Sequence, residues 1–123
     1  MFAGSLVRAA GGQVVKAGQP FVPEVLYQGN YYPICGHFFW DSQDGAATVC
    51  KNLGFSGGEL KNWPVRSSNE GYTKDAMPVG TCDVSQHLDK CTDGGNAWGD
   101  LGYGNGFCRM GNHVKIEVTC FGE

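Results

Sequence analysis

At 123 residues with a net charge of −3, the chain is the size of one domain. Its nine basic residues are scattered, which argues against a dedicated nucleic-acid binder with a basic face, and no run of eighteen apolar residues is present to span a membrane. Six cysteines with no CxxC pair, beside twenty glycines, point to a disulfide framework in a secreted or lumenal protein, the alternative being six free thiols in a cytosolic one.

Residues 5–9, Ser-Leu-Val-Arg-Ala, read as a short strand. Gly11, Gly12 and Gly18 then punctuate a polar turn region, with Val14 and Val15 between them. The run 21–27, Phe-Val-Pro-Glu-Val-Leu-Tyr, is strand-like. Pro23 cannot donate to a ladder, so it belongs at an edge or at the strand start. Gln28-Gly29-Asn30 between two apolar runs signals a hairpin. Residues 31–40 are the most aromatic stretch. Tyr31, Tyr32, Phe38, Phe39 and Trp40 can supply much of the core of a small domain, with a ligand shelf as the alternative.

The stretch 40–55 predicts a helix over about 42–53. Ala46, Val49, Cys50 and Leu53 recur at the spacing of one helical face. Asp41 is placed as N-cap, Asp44 follows three residues on, and both carboxylates suit the positive end of the helix dipole. Gly54 is placed for the left-handed position that ends a helix. Cys50 lies on the apolar face, which predicts a covalent tie between the helix and the β structure around it.

Residues 56–81 are polar and interrupted by Gly57, Gly58, Pro64, Gly71, Pro78 and Gly80. They read as loop with at most a short strand over 76–79, and a loop this long inside a small domain often carries binding function. Residues 82–91 are closed at both ends by cysteine and hold Asp83, His87 and Asp89. Residues 92–107 are glycine-rich. Residues 113–120 alternate, with Val114, Ile116 and Val118 on one side and Lys115, Glu117 and Thr119 on the other, the pattern of a half-buried strand.

These residues bring a family into view. Residues 24–35, Glu-Val-Leu-Tyr-Gln-Gly-Asn-Tyr-Tyr-Pro-Ile-Cys, resemble the VEVLYxGxWGTVC opening of scavenger receptor cysteine-rich (SRCR) domains. Trp40, Asp41, Asp44, Ala46 and the run 49–54, Val-Cys-Lys-Asn-Leu-Gly, resemble the WDxxDAxVVCRQLG block that follows. Cys82 and Cys91 with Leu88 between them resemble the CxGxExxLxxC loop. Trp98, Cys108 and the ending Val118-Thr119-Cys120 resemble the family's tryptophan, penultimate cysteine and GVxC ending, more loosely than the first two blocks. The likeness runs over residues 5–121, read as a single domain after residues 1–4, which read as linker or added residues.

Spacing alone leaves fifteen pairings open for six cysteines. The resemblance implies one of them, that of the six-cysteine group A: Cys35–Cys108, Cys50–Cys120 and Cys82–Cys91. Phe55 stands where the eight-cysteine members carry an extra cysteine. The resemblance further implies an α+β fold, a twisted and mostly antiparallel β-sheet cradling one main helix, disulfide-stabilised and with long loops. Two departures matter. Many members follow the first cysteine with two aspartates, carry an acidic pair before the third and a Glu in the cysteine-closed loop, and bind calcium or magnesium there, hard cations that take oxygen ligands. Here Gly36 and His37, Pro78 and Val79, and Gln86 occupy those places. The family cation site is therefore not expected, and no cofactor or metal is assigned. Asp83, Asp89, Asp93 and Asp100 could form a different calcium site, against the plainer reading of a solvated loop.

Other chemistries fit poorly. The run 54–58, Gly-Phe-Ser-Gly-Gly, matches G-x-S-x-G, but a nucleophile elbow needs a strand before it and a helix after it. Here it reads as a helix C-cap and turn. His37, His87 and His113 lack paired ligand spacing. The glycines of 94–106 are not followed by the Lys-Ser/Thr of a phosphate loop. The chain is thus expected not to be an enzyme.

The functional expectation is an extracellular or lumenal ligand-binding or adhesion module of a larger secreted or membrane-anchored receptor-type protein. Its loops 56–81 and 82–91 would recognise a protein, glycan, lipid or polyanion. Lys61, Arg66 and Lys74 are the local basic grouping that would meet an acidic ligand, the bland reading being solvated charge. The alternatives are a structural spacer in a multidomain adhesin and a non-catalytic domain of a secreted enzyme. The opening eight residues lack the apolar core of a signal peptide, so a secreted domain of this sequence is expected to be a piece of a longer protein. No nucleic-acid partner, no membrane insertion and no N-glycosylation are expected.

Overall fold

Two short antiparallel sheets and one α-helix organise the described residues. The computed structural model describes residues 6–36, 39, 42–60, 75–82, 88, 91, 97–101, 108 and 116–122. β1 (Val7–Ala9), β2 (Pro23–Tyr27) and β3 (Asn30–Pro33) form a three-stranded sheet in that order. Pro23 is the first residue of β2, opposite Ala9, so its missing N–H falls at the strand start. β2 and β3 meet through a two-residue turn at Gln28 and Gly29, with φ of 47° and 85°. Two positive φ values are what a type I′ hairpin needs to match the twist of its strands.

The helix α1 (Asp44–Asn52) packs on β4 (Gly57–Leu60) and β5 (Val118–Phe121), which pair antiparallel with Gly58 opposite Cys120. Gly58 permits the approach. A Cβ there would collide with the Cys50 sulfur and lie 3.1 Å from the Ala46 carbonyl oxygen. The helix ends in a Schellman motif: the Gly54 N–H donates to the Lys51 carbonyl at 3.1 Å and the Phe55 N–H to the Cys50 carbonyl at 2.9 Å. Gly54 holds φ +96°, as its expected place past the helix end requires.

The start of α1 differs from the sequence expectation. The helix begins at Asp44, not near 42, with Gln43 rather than Asp41 in the N-cap position. The Asp44 N–H donates to the Ser42 hydroxyl at 3.0 Å, and the Gln43 side-chain oxygen accepts from the Leu60 N–H at 2.7 Å. Gln43 thus serves the end of β4. The strand β4 is itself a correction to the reading of 56–81 as loop. Gly-Gly-Glu-Leu has little strand character of its own, and the strand exists because β5 offers a partner and α1 needs a glycine beneath it. Residues 76–79 contribute no strand, only a parallel bridge between Met77 and Ile34.

Residues 18–21 join the two sheets. The Gly18 N–H donates to the Cys120 carbonyl at 2.8 Å, and Phe21 and Val118 exchange both backbone bonds at 2.9 and 2.8 Å. The core thereby runs from Val7 and Val25 through Ile34, Phe39, Val49, Met77 and Val79 to Ile116 and Val118, all at most 2% exposed. The expected alternation near the C-terminus holds over its described part: Ile116, Val118 and Cys120 are buried while Glu117 and Thr119 are half-buried. The strand reaches Phe121, and residues 113–115 lie outside the described ones. The architecture is the α+β arrangement of antiparallel strands and one main helix, with the β structure divided between two sheets.

Candidate ligand-binding surface

Three covalent ties fix the frame: Cys35–Cys108, Cys50–Cys120 and Cys82–Cys91. These are the pairs the family resemblance implies. Cys50–Cys120 carries the expected tie from the apolar face of α1 to β structure, and both residues are fully buried. Cys35 follows β3, and its bridge reaches Cys108 across 73 residues of chain. The Ala76 N–H donates to the Cys108 carbonyl at 2.7 Å, so this bridge and the segment 75–79 support one another. In the chain-entropy account each of the two long bridges is worth about 4 kcal/mol.

The sequence-predicted site residues separate into two groups. Lys61, Arg66 and Lys74 lie outside the described residues, as do His37, His87, His113, Asp83, Gln86, Asp89 and Asp93. Gly36, Pro78 and Val79, three of the positions where the family's acidic residues would stand, are buried. The Met77 N–H donates to the Pro33 carbonyl at 2.8 Å, the Cys35 N–H to the Met77 carbonyl at 2.9 Å, and the Ala97 N–H to the Pro78 carbonyl at 3.0 Å. Pro33, Cys35, Met77 and Pro78 are thereby committed to the frame. Asp100 is exposed on the turn that follows, and no group of three His, Cys, Asp or Glu side chains gathers among the described residues.

Ser56 of the G-x-S-x-G match sits between the end of α1 and the start of β4. That is helix, turn, strand, the reverse of an elbow's order. Its hydroxyl donates to the Phe121 carbonyl at 3.1 Å, which ties the helix end to β5. The residue works as a turn, as the sequence predicts.

The aromatic stretch divides in a way the sequence reading missed. Phe39 enters the core at 1% exposure, whereas Tyr31 and Tyr32 are half-buried. Arg8 lies opposite Glu24 across β1 and β2, its Nε 2.9 Å from the Glu24 carboxylate, with its guanidinium carbon 3.9 Å from the centre of the Tyr31 ring. Toward the hairpin end, Tyr27 meets Tyr32 edge to face at 6.5 Å between ring centres and Trp98 at 6.1 Å. Trp98 is held by its turn. The Gly99 N–H donates to the Met77 sulfur at 3.1 Å and the Asp100 N–H to the Ala97 carbonyl at 2.9 Å. The hairpin register carries the signal that was available: Arg8 faces Glu24, and Tyr31 and Tyr32 must point to opposite sides.

No known protein-family model matches the chain, and no curated protein sequence matches it. Among solved structures, the fold is similar to the SRCR domain of mouse MARCO, determined in a dimeric form. The TM-score is 0.55 at 19% sequence identity, over 89% of this chain and 93% of that one.

Proposed function

We propose that this chain is an SRCR-type domain of the six-cysteine group A, a single domain over residues 5–121. Its role is that of an extracellular ligand-binding or adhesion module of a larger receptor-type protein. The observation that carries the reading is a fold similar to an SRCR domain over 89% of the chain. The three disulfides use all six cysteines, which supports an oxidising compartment. The described ends of the 56–81 stretch serve the frame, as β4 and as the buried residues 76–80. Lys61, Arg66 and Lys74 fall between those ends in sequence, and the proposal places recognition of an acidic ligand there, with residues 82–91 beside it in the ligand-binding role.

Charge complementarity governs such encounters, so they weaken with salt and with charge reversal. The test is binding of the chain to an immobilised sulfated polysaccharide, with and without calcium. Replacing Arg66 and Lys74 together by Glu is expected to weaken binding by roughly tenfold, equivalent to about 1.4 kcal/mol. Unchanged binding by the folded variant would reject the basic-loop reading. If the unaltered chain bound no polysaccharide, protein or lipid-vesicle probe, the spacer reading would take its place.

A further inference from the structure

We draw no further inference here: the strongest candidate, the half-buried ring cluster of Tyr27, Tyr32 and Trp98 at the hairpin end of the three-stranded sheet, packs ring against ring, with Tyr27 and Trp98 against the core, and nothing in the structure shows what covers its outer side.

Discussion

The unit of α1, β4 and β5 and the sheet of β1, β2 and β3 are held together by different means. In the first, a disulfide joins Cys50 to Cys120, and the helix approaches β4 so closely that only a glycine fits at position 58. The second also buries Val7 and Val25, but its turn and its outer face rest on strand register and on partly exposed polar and aromatic contacts. Close packing and covalent closure tolerate little change, because a dense interior cannot yield room for an added methyl group. Contacts at a wet surface are individually weak. Substitutions at the helix contact and at the turn and outer face of the sheet should therefore differ by several-fold in their effect.

The largest effect is expected from removing the Cys50–Cys120 bridge. Replacing both residues by Ala should lower the unfolding free energy by about 4 kcal/mol, read from the urea midpoint against the unaltered chain. An unshifted midpoint would mean that the bridge does not restrain the unfolded chain. Next comes Gly58→Ala, whose new methyl meets the Cys50 sulfur and the Ala46 carbonyl. A loss of about 1–3 kcal/mol is expected from such overpacking. A thermal midpoint equal to that of the parent would show that α1 and β4 are farther apart than described.

Changes at the turn and outer face of the three-stranded sheet should be milder, and one should stabilise. Gln28 holds φ 47°, a conformation that disfavours residues with a Cβ by about 1–2 kcal/mol. Glycine adopts it freely but leaves a more flexible unfolded chain. Gln28→Gly is accordingly expected to raise stability by up to about 1 kcal/mol; a lower denaturation midpoint would contradict the type I′ turn. The smallest effect concerns Arg8 and Glu24. Arg8 is 37% exposed, so solvent and salt screen the pair. A double-mutant cycle with Ala at both positions should give a coupling below about 1 kcal/mol that shrinks in high salt. A coupling of several kcal/mol, or one insensitive to salt, would show the pair to be buried.

How far the sequence could be read follows the same division. The apolar spacing of Ala46, Val49 and Cys50 placed the helix because its face is set by local periodicity, and Gly54 marked its end because positive φ is a local demand. The start is harder to place because Asp41 and Ser42 are both good capping residues side by side, and it is the Ser42 hydroxyl that accepts the Asp44 N–H. The strand β4 could not be read at all, since Gly57 and Gly58 owe their strand geometry to partners distant in sequence. Composition favours the core for both Tyr31 and Tyr32 over a ligand shelf, although adjacent strand residues point to opposite faces. Cysteine spacing left fifteen pairings open, and the family resemblance selected one of them. For the proposed ligand surface, Lys61, Arg66 and Lys74 fall outside the described residues, so their reading stays with the sequence.

The most direct measurement is a disulfide map of the unreduced protein, by proteolysis and mass spectrometry. The account predicts linked peptides for Cys35–Cys108, Cys50–Cys120 and Cys82–Cys91, with no free thiol. Any other pairing, or cysteines that alkylate without reduction, would contradict the covalent frame and with it the reading of the chain as an extracellular SRCR-type module.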